Sequence, residues 1–247
     1  MLKSHILKMQ KKQFIILVVI CMAFVTLSSA QHKRYTIKNG IGIIGGLTQY
    51  DIITDNFTTK SGSGFIGGMV ATVDIPHKWF TVSYGLQLSQ NSLEVEGRIP
   101  TTRQTEMVEY NLMAVQLSFM LHVKLLSDNI TLDIGPQLQY NGKLELKDSN
   151  QENISIGYDY LGNGYDVVIG GYEELTAKDI SNISPFNVNG VVGASAGIGN
   201  FRLRATYSYG FTNILNKLND ENLSLPPGTK EFKGNQTMLA FALMITF

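Results

Sequence analysis

Cysteine is almost missing. The only one in 247 residues, Cys21, lies in the apolar N-terminal stretch. Without that stretch the chain has no thiol, which excludes a disulfide framework, a cysteine-held metal and a cysteine nucleophile. Charge is also scarce, at 16 % Asp, Glu, Lys and Arg, where a soluble globular domain carries about a quarter. Beyond the N-terminal stretch there is no basic run, so nucleic acid is not an expected partner. Histidine is rare: past that stretch only His32, His77 and His122 occur, at no recognisable metal or catalytic-triad spacing. No cofactor and no enzymatic activity are expected from these residues.

The N-terminal stretch has its own signature. Lys3, Lys8, Lys11 and Lys12 precede an uncharged segment whose core runs from Phe14 to Leu27. That length suits the apolar region of a signal peptide and is short for a spanning helix. Ser28, Ser29 and Ala30 supply the small residues of a cleavage site, so residues 1–30 are expected to be removed after Ala30, leaving 31–247 as one domain. The removal leaves 16 Lys and Arg against 20 Asp and Glu, a formal charge of −4. Ile20 precedes Cys21 where a lipoprotein needs a small residue, so lipidation is not expected.

What the rest has in plenty is alternation of period two, the signature of strands with two different faces. In 201–212, Phe201, Leu203, Ala205, Tyr207, Tyr209 and Phe211 alternate with Arg202, Arg204, Thr206, Ser208, Gly210 and Thr212. The same pattern runs through 80–89, 115–124, 130–146, 186–198 and 238–247, and more weakly through 37–49 and 64–75, giving eight strands. In 130–146 the apolar face holds Ile130, Leu132, Ile134, Leu138, Tyr140, Leu144 and Leu146, and the opposite face includes Asp133, Gln137, Gln139, Asn141, Lys143 and Glu145. The apolar faces carry no charge over about ten positions, the span a tilted strand needs to cross a bilayer. The polar faces mix small residues with amides and charges, as a narrow lumen requires. Aromatics gather near strand ends (Trp79, Phe80, Phe201 and Phe247 at one end; Phe65, Tyr110, Tyr140 and Phe186 at the other), where membrane interfaces place them. A soluble lipocalin-like carrier would need the inverse pattern, an apolar lumen and a polar exterior.

The connections support the same fold. Short ones at Asp74 to Lys78, Ser127 to Asn129 and Gly199-Asn200 alternate with long polar ones at about 50–63, 91–109, 147–185 and 213–235. The expected architecture is an all-β, eight-stranded, antiparallel up-and-down transmembrane barrel in a bacterial outer membrane, with tight periplasmic turns and long external loops. Outer-membrane lipid and the barrel-assembly machinery are its expected partners, and Phe247, closing the last strand, is the expected assembly signal.

The stretches VEYNLMAVQLSFMLHVKL (108–125), LDIGPQLQY (132–140), GVVGASAGIGNFRLRATYSYGFTNI (190–214) and LAFALMITF (239–247) together resemble the PorT-like family of small outer-membrane β-barrels of Bacteroidetes. The fourth strand departs from that family in having Ala114-Val115-Gln116 where a proline is common. The resemblance implies the barrel and, through the member that gave the family its name, a possible link to type IX secretion. Architecture alone does not carry that role across.

Two groups of residues are candidates for a site. Asp74, Lys124, Asp133, Arg202 and Arg204 fall on lumen faces near the short turns, where buried charges must pair. They are expected to interlock as a plug, because an eight-stranded barrel has little room beyond its own side chains. The loop 147–185 carries Tyr158, Tyr160, Tyr165 and Tyr172, with a Gly162-Asn163-Gly164 turn between β-prone arms. This reads as a raised strand pair or as a recognition surface. His122 reads as a hydrogen-bonded filler of the lumen. A non-catalytic structural or binding barrel is the leading function; an accessory part of a secretion machine and a lipid-modifying enzyme are the alternatives.

Overall fold

Eight long strands follow one another in the computed structural model, which describes residues 38–74, 76–98, 103–126, 129–147, 157–158, 164–165, 167–169, 175–225 and 228–247. The signal-peptide expectation at residues 1–30 lies outside them. The strands are β1 (Lys38–Thr54), β2 (Thr59–Asp74), β3 (Phe80–Arg98), β4 (Thr105–Leu126), β5 (Ile130–Leu146), β6 (Phe186–Ile198), β7 (Phe201–Gly210) and β8 (Gly234–Thr246). Each pairs antiparallel with its sequence neighbour, and β8 pairs back onto β1 from Gly42↔Thr246 to Thr54↔Gly234. The ring is closed, so none of the eight presents an open sheet edge. Two-residue strands at Gly157–Tyr158 and Gly164–Tyr165 pair with each other, and Val168–Ile169 pairs with Gly97–Arg98 of β3.

The outer face is apolar in a continuous belt. Leu47, Met69, Leu86, Leu117, Ile134, Val192, Leu203 and Phe241 are all at least half exposed, one from each strand. Behind them the inner face is polar, with Ser83, Gln87, Gln116, Gln137, Asn189 and Ser208 buried. In water the belt would be unstable; against lipid it is the favoured face. Phe201 and Trp79 edge the belt at the end with the short turns, and Phe186 and Phe65 at the other. The turn at Gly199-Asn200 is only two residues long because Gly199 takes φ +59°, which a β-carbon disfavours.

Two of the connections expected to be long are hairpins. Residues 55–58 join β1 to β2, and 99–104 join β3 to β4. The residues read as loops there continue the strands with their chemistry reversed. On β3 the inward positions change from Ser89 and Asn91 to Leu93 and Val95, while the outward ones change from Leu86 and Leu88 to Gln90, Ser92, Glu94 and Glu96. On β4 Val108, Tyr110 and Leu112 point inward and Glu109 and Asn111 outward. The strand leaves lipid for water at this level, so the wet face becomes polar and the inner face apolar. Tyr110, expected in an interfacial belt, is instead fully buried inside.

A bulge corrects the expectation for the end of β5. Ala114 pairs with Asn141 and Leu112 with Leu144, so Met113 faces both Gly142 and Lys143. The extra residue flips the alternation. Leu144 is buried inside at 2 % exposure, while Lys143 and Glu145 are exposed, the reverse of an unbroken period of two.

At this loop end the inward residues build an apolar core that the connections complete. Ile52, Leu93, Val95, Tyr110, Leu112 and Leu144 from the strands pack with Ile169, Leu175 and Ile180 of the 147–185 loop and with Ile214, Leu215 and Phe232 of the 211–233 loop. Tyr110 donates its hydroxyl to the Ala177 carbonyl at 2.7 Å. Asn213 ties the second loop down, donating from Nδ2 to the Phe232 carbonyl at 2.8 Å and accepting from the Leu215 and Gly234 amides.

Candidate functional site

Below this core the lumen is crossed by amides. Gln116 Nε2 donates to Gln139 Oε1 at 3.2 Å, and Gln139 Nε2 to Gln236 Oε1 at 2.9 Å. Gln236 Nε2 donates to Asn189 Oδ1 at 2.7 Å, and Asn189 Nδ2 to Gln137 Oε1 at 2.9 Å. These donors come from four strands, β4, β5, β6 and β8. Each amide has both donor and acceptor groups, so one layer can satisfy itself without water.

The charged residues lie nearer the short turns, at the turn end. All five predicted members are there, and two ion pairs stand out among their contacts. Lys124 Nζ is 2.7 Å from Asp74 Oδ1, and Thr81 Oγ1 also donates to that oxygen at 3.0 Å. Arg204 Nε is 3.4 Å from Asp133 Oδ2, an ion pair whose alignment falls short of a hydrogen bond. Arg202 Nη1 donates to Ser195 Oγ at 3.1 Å.

The centre of the second group is a residue expected only to fill space. His122 Nδ1 is 2.7 Å from Asp133 Oδ1, and His122 Nε2 is 2.7 Å from Ser83 Oγ. With an ionised Asp133 and a neutral imidazole, Nδ1–H donates to the carboxylate and Nε2 accepts from the serine hydroxyl. Arg204 Nη2 lies 3.4 Å from the same Nε2, which as an acceptor suits that donor too. Thr131 Oγ1 donates to Asp133 Oδ1 at 2.7 Å and fixes the carboxylate. Sheet register creates this arrangement. His122 of β4 is the Cα partner of Asp133 on β5 and of Thr81 on β3, and Ser83 is the next inward residue after Thr81. The sequence did carry the signal: Ser83, His122 and Asp133 each sit on a polar face near a short turn. Aligning three strands was needed to see them meet.

A vestibule of about 440 Å³ opens at this end, lined by Thr72, Asp74, Thr81, His122, Lys124, Thr131, Arg202 and Arg204 among others. A smaller void of about 30 Å³, lined by Gln87, Ser118 and Gln137, lies on the other side of Arg204, which borders both.

Residues 29–216 match the sequence model of a family described as outer membrane protein beta-barrel domain. The chain belongs to that family. Among solved structures, the Neisserial surface protein A is 12 % identical, with 84 % of this chain and 97 % of that one covered and a TM-score of 0.44. Ail, the attachment invasion locus protein of Yersinia pestis, in its complex with the heparin analogue sucrose octasulfate, is 10 % identical over 85 % of this chain and 99 % of that one, at a TM-score of 0.39. No curated protein sequence matches. As an outer-membrane β-barrel, the protein sets its exposed apolar belt in lipid, and its two ends face water on opposite sides.

The remaining candidates are scattered. Tyr158 and Tyr165 belong to the small strand pair, in register with Gly164 and Gly157, and the Gly162-Asn163 turn expected between them lies outside the described residues. Tyr160 and Tyr172 lie outside the described residues. Phe247 is 77 % exposed, and its amide donates to the Ile41 carbonyl at 2.8 Å across the β1–β8 seam.

Proposed function

We propose that this outer-membrane barrel is a closed one, with a structural or binding role carried by its loop end and no part in conduction or, at that end, in catalysis. One observation carries the reading: the lumen is occupied in three successive layers. Ion pairs stand beside the vestibule at the turn end, an amide network fills the middle, and an apolar core the loop end. A water-filled pore would keep its inner face polar throughout, and this one turns apolar at Leu93, Val108 and Leu144. The loop end faces outside the cell and the short turns face the periplasm, after export by a leader cleaved behind Ala30. Within the family, the motifs at 108–125 and 190–214 resemble those of the PorT-like barrels of Bacteroidetes. The connections 147–185 and 211–233, with Tyr158 and Tyr165 on the first, are the surface offered to partners.

Conductance tests the closed bore. Purified protein in planar bilayers is expected to give no steady single-channel current, and large steady currents would make a pore the leading function. Epitope insertion near Gly162 and at Gly199 tests orientation: on intact cells antibody is expected to reach only the first, and reaching only the second would invert the topology.

A further inference from the structure

The turn end holds chemistry that a closed scaffold does not need. We infer that Ser83, His122 and Asp133 form a serine esterase site, entered from the vestibule and specific for short acyl esters. The inference is independent of what the loop end binds.

The connectivity is that of an activated serine. Asp133 Oδ1, Nδ1 and Nε2 of His122, and Ser83 Oγ form an unbroken chain with both hydrogen bonds at 2.7 Å. Asp133 selects the neutral tautomer in which Nε2 is the acceptor that faces the serine proton, which is the role of the carboxylate wherever this arrangement is catalytic. Thr131 holds the carboxylate, and Arg204 Nη2 lies 3.4 Å from the same Nε2, a cation near the reacting groups. His122 and Arg204 both line the vestibule, so the imidazole is approached from the turn end.

The reaction balances without a cofactor. Ser83 Oγ adds to the ester carbonyl carbon while its proton passes to His122 Nε2. The tetrahedral adduct collapses, and the leaving alkoxide takes that proton and departs as the alcohol, leaving acyl-Ser83. Water then adds to the acyl carbon and gives a proton to Nε2. A second collapse releases the carboxylic acid and returns the proton to Ser83.

Geometry restricts the substrate. Thr81 lines the vestibule, but Ser83, the next inward residue of β3, is only 1 % exposed. Two residues of strand place the hydroxyl roughly 7 Å further along the strand than the threonine. Ser83 borders neither of the two cavities described above, so an ester reaches it only as the side chains between it and the vestibule move aside, a displacement that an acetyl-sized group needs least and an intact lipid tail most.

The test uses the full barrel folded in detergent, exposed to diisopropyl fluorophosphate and examined by intact mass and peptide mapping. A single phosphoryl adduct on Ser83 is expected, absent in Ser83→Ala. In Asp133→Asn, which keeps the shape of the carboxylate, and in His122→Asn, labelling should slow by roughly 10²–10⁴-fold. Heat-modifiable gel mobility selects the variants that remain folded, and Ser83→Ala leaves the His122–Asp133–Arg204 contacts intact. p-Nitrophenyl acetate should be hydrolysed, and p-nitrophenyl laurate should not. No adduct on Ser83, or equal labelling of folded wild type and Asp133→Asn, would overturn the assignment. Equal turnover of laurate and acetate would overturn the short-acyl specificity.

Discussion

The two ends of the barrel are built from the same strands and hold together by opposite means. At the turn end the inner face is charged: Asp133, Arg204 and His122 are almost fully buried and depend on one another. At the loop end the inner face of the same β3, β4 and β5 is Leu93, Val95, Val108, Leu112 and Leu144, and no charge is needed. The difference follows from what surrounds the wall. Where lipid covers the outside, apolar side chains gain nothing by turning inward, and the lumen can hold polar groups that satisfy each other. Where water covers the outside, the ordinary hydrophobic effect returns and the apolar residues go inside, as in a soluble protein.

If that contrast is right, the two ends fail differently. The largest effect is expected at the turn end. Asp133→Ala leaves Arg204 buried without its carboxylate, and breaking such a pair typically costs about 3–5 kcal/mol, reduced here by water in the vestibule. Arg204→Ala on top of it should add less than its own separate cost, because the unpaired charge is then gone. Urea unfolding followed by heat-modifiable gel mobility measures both, and strict additivity would mean that the two side chains are not coupled.

Next in size is the loop-end core. Leu93→Ala removes a fully buried side chain and should cost about 2–5 kcal/mol. Leu86→Ala, seven residues away on the same strand but 57 % exposed on the lipid face, should cost much less, since lipid fills the space. Similar losses from both would erase the distinction between the two faces.

The smallest effect is a local one. Tyr110→Phe deletes only the hydroxyl that reaches the Ala177 carbonyl, worth about 0.5–1.5 kcal/mol as a net hydrogen bond. Limited proteolysis should then cut the 175–183 segment sooner while the barrel stays resistant. An unchanged cleavage rate would show that apolar contacts alone hold the loop down.

Much of this architecture was legible in the strands that cross the lipid. From Phe80 to Leu88 or from Val115 to Val123 one face is apolar without a break, and the period of two leaves little choice. Gln90–Arg98 and Thr105–Leu112 were harder to read. Their outward Glu94, Glu96 and Glu109 made them resemble polar loops, although the inward Leu93, Val95, Val108 and Leu112 kept the alternation. Lys143 and Leu144 were misassigned because a bulge leaves no mark in a pattern of two. The charged site was half legible. Asp74, Lys124, Asp133, Arg202 and Arg204 could be placed at one end by counting from the turns, but which pairs with which depends on side-chain reach.

By itself, then, the sequence determined the strand count, the antiparallel order, the lipid-facing belt and the end at which the charges gather. All of these depend on periodicity and on connection length, which are local properties of the chain. Tertiary structure decided that Leu93 and Ile180 share a core, that Arg204 chooses Asp133 while Lys124 takes Asp74, and that Ser83 and His122 lie 2.7 Å apart. Those contacts join residues between 39 and 87 positions apart in the chain, and only the stagger between strands in the closed ring brings such residues to the same depth.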